Sequence, residues 1–407
     1  MELNEFINTG ISEGWVRDTG TFDEVFIDGG NRKCQKYDVR IDKLHYNVQN
    51  GRIATFVSRY KAEHGELPSN VEELDNLIEQ MIENVNPKKL KTTKLDIKAK
   101  GQQETALVLS DGTVVDGNRR FTCLRMLARD EGQHRFMRCY VFPDTYDRKA
   151  IKALELEIQM GRDEKENYDE ITRLVDIDEC VNIDGLMTAD EYAKHANIKP
   201  SEMKKRLKEV DILKEYLEFI GMPGAFHIAQ DQKIHGGIES LAARVKKCKD
   251  ENQAEDVKNC VYAYLALQSE GDRTRDLRGY IDRLISDPEF MDEQLDVAET
   301  FLEKVEDLPA DAPSTTEFFR DHVVNEPKLR GEQKASFDKA KIKEGNQQIK
   351  SNQVKAATDA VESLKGVDAA LLSKLTDEQR AQIREALEDI RSEVARVTRA
   401  LDGLTLK

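Results

Sequence analysis

The sequence predicts an α+β protein: a small mixed α/β domain towards the amino terminus, then helices to the carboxy terminus. Three observations predict it. Strand-like alternation and short apolar runs interleave with helical periodicity between residues 37 and 142. From residue 147 onward strand signals nearly vanish and apolar residues recur at helical spacing. A seven-residue apolar repeat closes the chain. At 407 residues the chain exceeds one ordinary domain.

Residues 37–44 (YDVRIDKL) alternate as a strand, and Asn47, Gly51 and Arg52 mark a turn into a helix. Over 71–84, Val71, Leu74, Leu77, Ile78, Met81 and Ile82 line one helix face. Strands at 105–109 and 113–116 are joined by Ser110-Asp111-Gly112, a hairpin signal. A helix over 118–130 and a strand over 136–142 complete the mixed domain. Helices follow over 147–160, 166–182, 188–196, 200–219 and several stretches of 226–307. Ile383, Leu387, Ile390, Val394, Val397, Leu401 and Leu404 alternate steps of four and three, the seam of a coiled coil. A shorter series, Val354, Ala357, Val361 and Leu364, precedes Gly366. The two series predict either a hairpin packed on its own chain or a seam between two subunits. The expected division is an extension (1–36), the mixed domain (37–145), a helical domain (146–225), an acidic helical domain (226–330), and a linker with coiled-coil helices (331–407). Within the last, the polar, Lys-rich stretch 325–350 reads as a linker or solvated helix.

Composition narrows the function. One Trp and 6% aromatic residues argue against a large aromatic cleft. No apolar run reaches the length of a bilayer span, and MELNEFINTG lacks the basic and apolar regions of a signal peptide, so a cytosolic protein is expected. Cys34, Cys123, Cys139, Cys180, Cys248 and Cys260 are scattered without a Cys-x-x-Cys pair and read as buried thiols, and no metal-ligand set is expected. The net charge is −16, but its distribution matters more. Residues 251–330 hold 20 acidic against 9 basic side chains, whereas KKLKTTKLDIKAK (88–100) has six lysines and one Asp. A basic surface remains open to the rest of the chain, with the lysines of 88–100 read as a solvated loop able to meet phosphates.

The most informative stretch is VVDGNRRFTCLRML (114–127). A strand ends in Asp116-Gly117, and a helix begins with Asn118, Arg119 and Arg120. Two arginines in a first turn lie against the positive end of the helix dipole, a local conflict that sequences keep mostly for function. Backbone N–H groups, a glycine that allows close approach and guanidinium forks together suit a phosphate.

A second motif lies in TADEYAKHANIKPSEMKKRL (188–207). Thr188 caps a helix with Tyr192, Ala193 and Ala196 inward, and Asn197 takes the tight turn. Ile198 plugs the corner and Pro200 opens the next helix. Met203 and Leu207 pack back, while Ser201, Lys204, Lys205 and Lys208 face out. This is the layout of a helix-turn-helix that offers basic residues to a DNA major groove.

Taken together, residues 37–220 resemble the ParB-like chromosome and plasmid partition proteins of the ParB/sulfiredoxin superfamily. DGNRR (116–120) is similar to the family's GERR phosphate motif, with Asn118 in place of Glu. LHYNVQNGR (44–52) resembles its first nucleotide-contacting stretch, where Asn47 and Arg52 carry the matching types. GQQE (101–104) lies where the family has a Gly/Gln loop, and LELEIQMGRDEKENYDE (154–170) resembles its ENxQR-type motif. Ile158 stands where that motif has Asn, and Gln159 and Arg162 fit only with shifted spacing.

The resemblance implies a dimeric, cytosolic, nucleoid- or plasmid-associated protein that binds double-stranded DNA. Its amino-terminal domain would bind CTP or another nucleoside triphosphate, with magnesium, to control clamping on DNA. The expected nucleotide residues are Asn47, Arg52, Gly101, Gln102, Asp116, Gly117, Asn118, Arg119 and Arg120. Glu157 is the carboxylate expected to assist a metal or orient water, and hydrolysis is left open. The alternatives are an enzyme of the same superfamily (a phosphotransferase or nuclease) and a non-enzymatic defence adaptor.

Overall fold

The computed structural model describes residues 2–27, 30–161, 169–267, 276–309 and 312–403. Arg162 and Leu404 lie outside the described residues. Residues Met1–Phe337 form one unit and Asp338–Lys407 a second.

The first unit opens with helix α1 (Leu3–Glu13) and a long hairpin, β1 (Val16–Ile27) with β2 (Gly30–Arg40). Residues 1–36 are therefore not an extension: Phe6, Trp15 and Val16 sit in the same core as Val39 and Leu44. The hairpin escapes pattern reading because its ribbon is polar on both sides along most of its length. Gly20, at φ +67, also breaks the alternation where the register shifts between Asp18 and Phe22.

The chain then forms β3 (His45–Tyr46), a 3-10 turn at Gly51–Ile53, α2 (Ala54–His64), α3 (Val71–Val85) and α4 (Pro87–Lys100). Asn70 caps α3 through two backbone N–H groups, and Ile78, Met81 and Ile82 face the core as their spacing predicts. The lysine run 88–100 is a helix rather than a loop. Asn86 and Pro87 start it, and Leu90 and Ile97 bury one side while lysines occupy the other. Next come β4 (Ala106–Leu109), β5 (Thr113–Asp116), α5 (Asn118–Glu131) and β6 (Phe136–Phe142), all as expected.

The six strands lie in the order β1-β2-β6-β4-β5-β3, with β4 parallel to β6, β3 parallel to β5, and the other pairs antiparallel. Strand period two divides the sheet between two cores. Ala106 and Val108 face the side covered by α1 and α3–α5, and Leu107 and Leu109 face the other side. That second face is covered by α6 (Arg148–Gly161) through Leu154, with Ile151 and Ile158 packed beside it.

Helices follow: α7 (Glu170–Asp178) with a π-helical turn at Glu179–Ile183, α8 (Ala189–His195), α9 (Pro200–Phe219), α10 (Phe226–Asp231), α11 (His235–Arg244) and α12 (Glu251–Leu267). Then come α13 (Leu277–Ser286), α14 (Pro288–Glu306), α15 (Thr316–Phe319), α16 (Pro327–Lys365) and α17 (Asp377–Asp402). The acidic segment is a packed helical body with Val257, Val261, Leu265, Tyr280, Phe290 and Phe301 buried. The start of α16, with Leu329, Gln333 and Phe337 buried, is a packed helix and not a linker. Further on, Val354, Val361 and Leu364 are exposed, as are Leu387, Ile390, Val394, Val397 and Leu401 of α17, while Ile383 is half-buried.

His227, on α10, is buried with Nε2 3.0 Å from the Ser314 carbonyl. Burial, helped by the nearby Arg59 charge, pushes its pKa down to about 4. The folded chain thus holds fewer protons at this site than the unfolded chain between about pH 6.5 and 4. Stability falls as pH drops through that window, by up to about 3 kcal/mol. Urea midpoints measured from pH 7 to 4 should fall less steeply in His227→Gln than in the wild type.

Candidate functional site

The site begins at the junction of β5 and α5. Gly117 takes φ +99, and a Cβ there would lie 2.9 Å from the Ala106 Cβ and 3.0 Å from the Met137 Cε. Glycine is thus required by backbone and packing alike. Gly117 supplies no side-chain cap to α5, whose first turn carries N–H groups without intrahelical acceptors by construction. A cleft opens there, lined by Asn50, Arg52, Ile82, Val85, Val115, Asp116, Gly117, Asn118, Arg119 and Glu155. As it stands the cleft is narrow, with a cavity volume of only about 30 Å³, so a nucleotide would have to part its walls.

The two sequence motifs at 44–52 and 116–120 therefore meet, with Arg52 and Arg119 on one cleft. Asn118 is only 8% exposed. Its Nδ2 lies 3.4 Å from the Val115 carbonyl, and among the described residues its Oδ1 has no hydrogen-bond partner. A buried acceptor without a donor is costly and rare in native proteins. On the opposing turn, Asn50 Oδ1 accepts from the Arg52 N–H at 3.1 Å. Asn47 is buried in that turn: its Oδ1 accepts from the Gln49 N–H, and its Nδ2 has no partner among the described residues. Asn47 shapes the loop and is not among the cleft's lining residues.

Besides Asn47, four residues expected at the site, Arg120, Gly101, Gln102 and Glu157, are not among the lining residues of this cleft. Arg120 does not reach the cleft. One residue is about 100° around a helix, and that rotation turns Arg120 away from Arg119. Its guanidinium bridges Asp116 (3.0 Å) and Glu104 (3.1 Å). Gly101 ends α4 at φ +74, and Gln102 pairs with the Arg138 backbone, accepting from its N–H at 2.9 Å and donating to its carbonyl at 2.7 Å. Gln102 thus secures the start of β6, and both residues stand outside the cleft lining. Glu157 also stands outside it, 2.8 Å from His195 Nδ1. Glu155, two positions back and so on the other side of α6, is the carboxylate that lines the cleft.

Glu155 belongs to a buried network that the motifs do not reveal. Lys152 Nζ lies 3.1 Å from Glu155 and 2.5 Å from Asp176, and the Tyr192 hydroxyl donates to Asp176 at 2.8 Å. Burial opposes charge on Lys152, but the two carboxylates outweigh it and hold its pKa well above the ordinary value. Burial pushes the Glu155 pKa up, with the Asp176 charge adding to it. Gly51 presses on the same group: a Cβ there would lie 2.2 Å from Asp176 Oδ1. The signal in the sequence was positional. Lys152 and Glu155 fall on the stripe of Ile151, Leu154 and Ile158, where charged residues are seldom placed unpaired.

The second motif folds as its residues dictate. Thr188 and Glu191 form a reciprocal capping box, Asn197 takes φ +49 and Pro200 opens α9. Tyr192, Ala193, Ala196 and Met203 are buried. Ser201, Lys204, Lys205 and Lys208 are all exposed. Lys205 is committed to Glu239 at 2.5 Å, which leaves Lys204 and Lys208 as the stronger cationic contributors. α6 touches both sites: it carries Glu155 to the cleft, while Lys149 and Glu157 hold Glu191 and His195 of α8.

No family model matches the chain, and no curated protein matches it. Among the described residues no helix is long and apolar enough to cross a membrane.

Proposed function

We propose that the chain is a ParB-like DNA-binding protein whose amino-terminal domain binds a nucleoside triphosphate, CTP in the family it resembles. The observation that carries this reading is the convergence of Arg52, Gly117 and Arg119 on one cleft at the start of α5. Arg52 and Arg119 bracket the phosphates, and the α5 N-terminus contributes its dipole. The unpartnered Oδ1 of Asn118 is an acceptor, so it suits a magnesium ion, its bound water or a ligand N–H rather than a phosphate oxygen. Magnesium would neutralise phosphate charge at this site.

The first turns of α9 enter the DNA major groove, with Ser201, Lys204 and Lys208 at the surface. Helix α6 is the mechanical link. A ligand drawn against Glu155 moves the helix whose Lys149 and Glu157 hold α8. The carboxy-terminal heptads join subunits.

Calorimetric titration with CTP, ATP and GTP, repeated with double-stranded DNA present, tests the reading. One triphosphate should bind, and its affinity should change when DNA is present. Absence of binding by all three overturns it. On the DNA side, Lys204→Ala with Lys208→Ala should weaken binding across sequences and reduce the log–log salt slope by about 2. Lys205→Ala alone should have the smaller effect because Glu239 already neutralises it. Filter binding over a salt series measures both.

A further inference from the structure

A second hollow lies beside the cleft, and it is the larger of the two. Its cavity volume is about 380 Å³, against about 30 Å³ for the cleft. Small-molecule sites are typically about 300–1,000 Å³. Residues 48–50, α2, the start of α6 and the end of α7 surround it. Asn50 lines both hollows, and Lys152 of this one holds Glu155 of the other.

One wall comes from the π-helical turn Glu179–Ile183, a form that is rare in proteins and recurs at functional sites. The turn brings Glu179 and Ile183 to the cavity together. Ile183 is 63% exposed, the most exposed large apolar side chain among the described residues of the first unit. With Val48, Val57, Leu67 and Leu186 it gives the cavity an apolar lining, on which a few polar groups fix orientation.

Those polar groups are of both signs. Two pairs are closed: Arg148 meets Asp184 at 2.5 Å, and Lys152 meets Asp176 at 2.5 Å. Lys61 of α2 and Glu179 remain, opposite in charge and in no ion pair among the described residues. Both also line a neighbouring hollow of about 340 Å³, so they stand where the two hollows meet. Glu179 offers surface to the cavity yet lies deep among neighbouring atoms. That desolvation, with the Asp176 charge adding to it, raises its pKa, although Lys152 and Lys61 oppose the rise. A carboxylate so placed gains from a cation brought against it.

We infer that this cavity binds a small zwitterion, an α-amino acid with an apolar side chain. Its ammonium pairs with Glu179, its carboxylate pairs with Lys61, and its side chain lies on Val57, Leu67 and Ile183. A singly charged ligand would leave one of the two wall charges desolvated without a counter-ion. The inference goes beyond the nucleotide and DNA reading and uses neither Arg52 nor Arg119.

Calorimetric titration of the full chain with L-leucine, L-methionine and L-phenylalanine tests it. The N-acetyl derivative of each lacks the ammonium, and the amide of each lacks the carboxylate. At least one of the three amino acids should bind at millimolar concentration or below, and both of its derivatives about tenfold or more weakly. Lys61→Met should weaken the amino acid to the level of its amide, and Glu179→Gln to the level of its N-acetyl derivative. Both side chains are exposed, so thermal melting should match the wild type. No binding by any of the three overturns the inference, as do derivatives that bind as tightly as the parent or folded variants that bind as tightly as the wild type. The derivative series needs only the wild type, so it decides even where a variant melts early. Triphosphate titration reads the other cleft, so either result can fail without the other.

Discussion

If the proposed function holds, Arg119→Ala should weaken triphosphate binding and leave the fold intact, whereas its neighbour Arg120→Ala should weaken the fold first. The contrast follows from a single helical step. Arg119 lines the cleft, so its loss would remove the charge-assisted contact proposed to phosphate, about 1.5–3 kcal/mol or roughly ten- to a hundredfold in affinity. Arg120 is buried between Asp116 and Glu104. Removing it takes the guanidinium from the part-buried Asp116 carboxylate at the foot of the turn, at a cost of about 1–3 kcal/mol. Paired calorimetry and urea denaturation of the two variants separate the roles. Equal loss of binding and of stability in both would mean that the turn is only structural.

Lys152→Ala should have the largest effect on stability of any single change considered. It leaves Glu155 and Asp176 buried without their shared ammonium. Breaking a buried ion pair from one side costs about 3–5 kcal/mol. Replacing the set together, Lys152→Met with Glu155→Gln and Asp176→Asn, removes the charges as a group and should recover most of the loss. The same triple variant deprives the cleft of Glu155, the one lining carboxylate besides Asp116 among the described residues. Its denaturation midpoint should therefore return towards wild type while the coupling between ligand and DNA does not. A midpoint unchanged in Lys152→Ala would show that the network carries no stability.

Much of this was legible in the sequence because it rests on local rules. The β4–β5 hairpin, the Gly117 turn, the inner face of α3 and the capped helix-turn-helix each follow from residues within a few positions of one another. The elements that escaped depend on distant partners. The β1–β2 hairpin has polar residues on both faces and is fixed by pairing with β6, a hundred residues later. The lysines of α4 concealed a helix whose buried side is only Leu90 and Ile97. At the site, residue types were readable but directions were not. Arg119 and Arg120 are alike in sequence and differ by their angle around α5. Glu155 and Glu157 differ in the same way around α6, and only the packing of Leu154 on the sheet decides which carboxylate reaches the cleft. Asp176, which anchors Lys152 and crowds Gly51, could be found only after folding.

The most direct test of the account is a crystal structure of the chain soaked or co-crystallised with a slowly hydrolysed CTP analogue and magnesium. The account predicts that the phosphates lie between the guanidinium groups of Arg52 and Arg119, against the first N–H groups of α5, with Asn118 Oδ1 gaining a partner. A nucleotide bound elsewhere, with the Arg52–Arg119 cleft filled only by solvent, would contradict it.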